Sequence, residues 1–123
     1  MSWLAVFLGG GIGSLCRYGI SFWLNRFGYQ GLFPWATVLA NFSASLILAL
    51  LFYYGSSRLS LNAKLFWMVG FCGGFSTFST FSMENWLLWR DGHYGWLSLN
   101  VLISLALGFV VFLIFDRIAS PGV

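Results

Sequence analysis

Four apolar segments dominate this chain. They run over about 3–24, 35–54, 65–89 and 94–115 and leave only short connections between them. Each is about 20 residues or longer, and at about 1.5 Å of rise per residue such a helix crosses a hydrocarbon core about 30 Å thick. Only 7% of the 123 residues are charged and 59% are hydrophobic, whereas soluble domains carry about a quarter charged residues. A water-soluble protein this small has too little interior to hide that much apolar surface. The chain therefore reads as an all-α membrane protein: one domain over 1–123 with four transmembrane helices and a lipid bilayer as solvent.

The aromatic and charged residues agree with this reading. Trp3, Trp23, Trp35, Tyr53, Tyr54, Trp67, Trp86, Trp89, Tyr94 and Trp96 mostly fall near span ends, the expected position of an interfacial belt. Met1 is followed almost at once by an apolar run without a basic leader, so the first segment is expected to stay as a span. Four spans place both termini on one side. That side carries Arg58, Lys64 and Arg117, and the other carries Arg26 and Arg90. So small a bias predicts insertion in both orientations. Four thin helices also enclose little, and the third span is polar in its middle, so a homodimer is expected. With dual topology the pair would be antiparallel. Cys16 and Cys72 sit inside apolar segments and read as small buried residues.

The third span carries the chemistry. Residues 73–82 read Gly-Gly-Phe-Ser-Thr-Phe-Ser-Thr-Phe-Ser. These are mediocre helix formers, and serine competes for backbone hydrogen bonds. Two readings are open from these residues alone. The helix breaks mid-membrane and its freed carbonyls and helix ends bind ions, or Gly73 and Gly74 serve close helix packing. If the helix is continuous, a step of three residues drifts by about 60°. Phe75, Phe78 and Phe81 then form one slanting stripe, Ser76, Ser79 and Ser82 a second, and Thr77 and Thr80 a third. Ring edges carry partial positive charge and hydroxyls donate hydrogen bonds. Both can replace water around a small anion.

Other polar groups lie within the spans. Arg17 is either functional or paired there, or it snorkels to the interface. Asn41 can join helices or line a pore. Glu84 can pair with a cation or cap the polar stretch. Asn100 and Ser104, four apart, share a face of the fourth span. His93 reads as a solvated loop residue. No enzyme signature is present, neither a metal-ligand cluster nor a phosphate loop nor a nucleophile–base pattern. The scattered basic residues make no nucleic-acid patch.

The stretch Gly70-Phe71-Cys72-Gly73-Gly74-Phe75-Ser76-Thr77-Phe78-Ser79-Thr80-Phe81-Ser82, followed by Glu84, closely resembles the signature of the fluoride channel family called Fluc or CrcB. Gly9-Gly10 through Gly13 and Arg17-Tyr18 is similar to that family's first-span motif, Pro34-Trp35 through Thr37 and Asn41 to its second, and Asn100, Ser104 and Gly108 to its fourth. The resemblance covers essentially the whole chain in order. It implies an antiparallel dual-topology homodimer with a third helix broken mid-membrane and two fluoride pores. It also implies a structural sodium ion (Na+) at the dimer centre, held by the main-chain carbonyls of Gly73 and Ser76 of both subunits. The pore phenylalanines would be Phe78 and Phe81, the pore asparagine Asn41, and the hydroxyl track Ser79 and Thr80 with Ser104. Arg17 would stand toward a vestibule, and Glu84 is a further vestibule or structural charge. Ala36 and Ala44 replace common glycines, and Ser76 replaces a common threonine. Some relatives are hetero-pairs, so a hetero-pair with a relative is a second arrangement. The implied activity is passive fluoride export across a bacterial cytoplasmic (inner) membrane, limiting fluoride toxicity.

Two other functions fit a small four-span protein. A multidrug-type proton-coupled antiporter needs a membrane-embedded carboxylate in its first span, and this span has neither Asp nor Glu. A non-transporting membrane assembly subunit would have no use for a hydroxyl and phenylalanine track.

Overall fold

The computed structural model describes residues 1–122. Helix α1 spans Ser2–Arg26, and α2 spans Trp35–Leu50 and continues through a π turn, Leu51–Gly55. A third helical run then begins as α3 (Leu61–Lys64), widens into a π segment (Leu65–Phe71) and ends as α4 (Cys72–Phe75). After an interruption come α5 (Ser79–Arg90) and α6 (Tyr94–Ala119). Three helices, Ser2–Arg26, Trp35–Gly55 and Tyr94–Ala119, are long and apolar enough to cross a membrane. The third apolar segment, expected to break mid-membrane, is two helical pieces separated at 76–78. It also starts earlier than expected, because the Ser60 side chain accepts the Ala63 N–H at 3.3 Å and caps the first turn.

Helices α1 and α5 end alike. Gly28 and Gly92 adopt φ of +82° and +80°, a conformation glycine takes without steric cost. The next residue's N–H then turns back five positions, Tyr29 to the Leu24 carbonyl at 3.1 Å and His93 to the Leu88 carbonyl at 2.8 Å. This closes the helix end without a buried orphan carbonyl. Arg26 and Arg90 stand in the last turns, where positive charge faces the negative end of the helix dipole.

A glycine seam joins α1 to the run before the interruption. Gly9 and Gly13, four apart on α1, face Gly70 and Gly74, four apart on the other strand of the seam. A Cβ on Gly9 or Gly13 would run into the carbonyl oxygens of Phe66 and Phe71, and one on Gly74 into the Gly10 backbone. A Cβ on Gly70 would lie 2.7 Å from the Val6 carbonyl. Small residues let backbones touch, which is how helices associate where lipid removes the hydrophobic driving force. The expected packing role therefore holds for Gly74. It does not hold for Gly73, where a Cβ would meet nothing within 4 Å.

The interior is small. Ala40 and Ala44 of α2 pack with Phe71, Cys72 and Phe75, flanked by Ile20, Ile47 and Leu48. Helix α6 lies against α2 and α5. Large apolar side chains such as Trp3, Phe7, Leu102 and Phe109 point outward, the inverse of a soluble fold. Cys72 is buried as expected, but Cys16 is exposed.

Candidate functional site

The interruption is built by side chains from neighbouring helices. At Ser76 the chain leaves the helix for an extended conformation, ψ 159°. The Asn41 amide on α2 holds the next residue by both main-chain groups. Its Oδ1 accepts the Thr77 N–H at 2.7 Å, and its Nδ2 donates to the Thr77 carbonyl at 3.2 Å. The Thr77 hydroxyl then accepts the Thr80 N–H at 3.2 Å and caps α5. In a continuous helix the Thr77 and Thr80 N–H groups would go to the carbonyls of Gly73 and Ser76. Both are diverted to side chains, so those two carbonyls are released from the helical ladder.

Of the two carbonyls between them, that of Gly74 is used differently. Arg17 Nε donates to the Gly74 carbonyl at 3.2 Å, joined by the Ser14 hydroxyl at 3.5 Å. Arg17 is thus paired inside the molecule, at the C-terminal end of α4, where a cation suits the helix dipole. Its partner is a carbonyl rather than a carboxylate. Ser76 folds its hydroxyl back onto the Cys72 carbonyl at 2.8 Å. Gly73 is exposed, so the released carbonyls lie at an outer face of the single chain. Among the described residues no group of His, Cys, Asp or Glu could hold a metal ion. Main-chain oxygens at this break remain the donor set suited to a hard cation.

A cleft of about 290 Å³ opens beside the break, lined by Asn41, Ser76, Thr77, Phe78, Phe81 and Ser104 among others. Four expected pore residues, Asn41, Phe78, Phe81 and Ser104, therefore meet in one place, together with Ser76. The rings of Phe78 and Phe81 lie 6.3 Å apart at 38°, and Phe78 is 81% exposed. Ser79 and Thr80 stand off this wall. The Ser79 hydroxyl lies 3.4 Å from that of Thr77, and the Thr80 N–H belongs to the cap. The single phenylalanine stripe also dissolves, since Phe75 is buried in the core. That stripe assumed one helical phase across 75–82, and the interruption resets it.

Glu84 accepts a hydrogen bond from the Thr37 hydroxyl and, with His93, borders a larger cleft of about 560 Å³ under the 27–34 loop. No cation pairs with it among the described residues; the one ion pair there joins Arg90 to Asp91 at 2.9 Å. The Arg90 guanidinium holds the Asp91 carboxyl below the usual carboxylate range. It also lies 5.3 Å from the centre of the Trp86 ring.

Sequence reasoning missed Asn85. Its Oδ1 accepts from Asn100 Nδ2 at 2.7 Å, and Asn100, with no exposed surface, accepts the Ser104 hydroxyl at 3.3 Å. The rule that singled out Asn41, a lone amide within an apolar span, applies equally to Asn85. Thr77 was also read only as part of a stripe, yet it anchors both the clamp and the cap.

Three membrane-length helices with apolar exteriors, arranged around a helix interrupted at a polar cleft, define a multi-pass integral membrane protein with an internal polar site. The chain belongs to the CrcB-like protein family, described as Camphor Resistance (CrcB), whose model matches residues 4–115. It is similar to the fluoride-specific ion channel FluC of Coxiella burnetii, 43% identical over 112 residues that cover 87% of this chain and 88% of the relative. The protein of that name from Bacteroides fragilis is 41% identical over 112 residues, covering 88% and 87%. That from Escherichia fergusonii is 40% identical over 104 residues, covering 83% and 80%.

Proposed function

We propose that this protein is a passive fluoride-selective channel that exports fluoride and limits its toxicity. One observation carries the reading. In a chain of this family, whose relatives are named fluoride-specific channels, a broken helix opens a cleft where Asn41, Phe78, Phe81 and Ser104 converge. The Asn41 amide and the edges of the Phe78 and Phe81 rings suit a small anion that must trade water for several weak positive contacts. Ser79 and Thr80 continue the hydroxyl track outward, Arg17 secures the break, and Glu84 ties α5 to the Thr37 hydroxyl of α2. The carrier reading still lacks its first-span carboxylate, and the assembly-subunit reading leaves the cleft without a purpose. Liposomes holding only this protein and loaded with fluoride test the proposal. Efflux under a clamped membrane potential, unchanged by a pH gradient, is the expected result. Absent efflux, or efflux tied to the proton gradient, would overturn it.

In this reading the working unit is a dual-topology antiparallel homodimer of four-span chains, 61–75 and 79–90 together making the third crossing. The exposure of Phe78 and Gly73 supports it, because interrupted backbone survives at membrane depth only where protein or a polar cavity covers it. A partner copy, or a relative in a hetero-pair, covers that face. A single cysteine placed at Ser57 should be labelled in part from each side of the membrane; labelling from one side alone would refute dual topology.

The released carbonyls of Gly73 and Ser76 fit a structural sodium ion shared by two subunits. The ion would neutralise the carbonyl dipoles gathered at the centre, with no permeation step passing through it. Thermal stability of the purified dimer should rise with sodium and respond far less to potassium. Equal responses to both ions would remove the site.

A further inference from the structure

The Ser104 hydroxyl borders the cleft, but its hydrogen is already committed. Ser104 donates to Asn100 Oδ1 at 3.3 Å, and Asn100 in turn donates Nδ2 to Asn85 Oδ1 at 2.7 Å. Asn100 is completely buried. With its amide nitrogen donating to Asn85, its oxygen faces Ser104 and needs a donor. A serine hydroxyl has one hydrogen and two lone pairs, so in this arrangement Ser104 turns oxygen, not hydrogen, toward the cleft.

We propose that Asn100, held by Asn85, is a positioning residue that keeps the Ser104 hydrogen turned away from the cleft and so weakens the hold of the path on its anion. The inference rests on reading the cleft as the fluoride path. An anion arriving at Ser104 meets lone pairs. To gain the hydroxyl hydrogen it must take it from Asn100, leaving a buried amide oxygen without a partner. The anion is therefore held loosely there, which favours release. A pore conducts only when its sites bind weakly enough to let the ion leave. The same amide pair ties α5 to α6, so the helix that begins at the break and the helix that carries Ser104 share one hydrogen-bonded chain.

The test uses the paired variant Asn85→Leu/Asn100→Leu. Replacing both partners by apolar groups of similar size leaves no orphaned amide and spares the fold. Fluoride efflux from liposomes is measured over a series of fluoride concentrations. With its hydrogen free, Ser104 should lower the half-saturating concentration about tenfold, the factor one modest hydrogen bond is worth, and reduce maximal efflux. Adding Ser104→Ala should abolish that gain in affinity. A lower efflux with unchanged half-saturation would mean that the amide pair only braces the helices, and would overturn the inference. If the paired variant fails to assemble, Asn100→Leu alone gives the same readout. Absent efflux from the unmodified protein overturns the fluoride reading itself, a result distinct from an unchanged half-saturation.

Discussion

Asn41→Asp should cut fluoride efflux by roughly a thousandfold while the dimer still forms. The substitution leaves an oxygen to accept the Thr77 N–H but removes the donor that holds the Thr77 carbonyl at 3.2 Å. It also sets a negative charge on the cleft wall. Two like charges about 4 Å apart repel by about 4 kcal/mol at an effective dielectric of about 20, which corresponds to the expected factor. Phe81→Ile should lower efflux about fivefold, since the edge of an aromatic ring is worth about 1 kcal/mol to a neighbouring group. Phe75→Ile is the control. Phe75 packs in the core against Phe71 and stands away from the cleft. Its loss should reduce stability by about 1–3 kcal/mol with little change in efflux per folded dimer. Initial efflux rates, normalised to dimer recovered by gel filtration, decide the matter. Near-normal rates for Asn41→Asp and Phe81→Ile would place the fluoride path elsewhere.

The second large effect concerns the glycine seam. Gly74→Ala should abolish recovery of folded protein, whereas Gly11→Ala should raise its unfolding temperature. The two substitutions add the same methyl group. At Gly74 it would meet the Gly10 backbone, which cannot rotate aside, and at Gly11 it would meet nothing within 4 Å. Overpacking a tight site costs about 1–3 kcal/mol even where side chains yield, so a clash against main chain exceeds that. Alanine in place of an unhindered helical glycine contributes about 0.5–1 kcal/mol by restricting the unfolded chain. Thermal unfolding in detergent reads both. Equal behaviour of the two variants would refute the seam.

The membrane class and the helix positions were legible because apolar length is a local property. A run of about 20 apolar residues reads the same in any tertiary context. The weak stretch at 73–82 was legible for a similar reason, since Gly, Ser and Thr advertise a poor helix. How the break is held was not legible. Whether Gly73 and Ser76 release their carbonyls depends on where Asn41 and Thr77 direct their side chains, which is fixed in space and not in sequence. The single stripe of Phe75, Phe78 and Phe81 was lost because a stripe calculation needs an unbroken phase. The seam was partly visible. Gly9, Gly13, Gly70 and Gly74 recur at the four-residue spacing of close helix contacts, but the adjacent pair at 73–74 drew attention from the pattern. Asn85 stood in plain view beside Glu84, and only the structure showed that it faces Asn100.

The Asn41 clamp has a consequence for how such a break can arise and disappear. Among the described residues the interruption involves neither a cis peptide nor a positive-φ residue other than glycine, and the segment contains no proline. Nothing in the covalent chain forbids a straight helix there. The instruction to interrupt is shared between the segment's own weak helix formers and the Thr77 hydroxyl and, in trans, an amide on α2 that competes successfully for the Thr77 N–H. A lineage can therefore tighten or loosen the interruption through a single codon in a different helix, at Asn41, leaving 73–82 untouched.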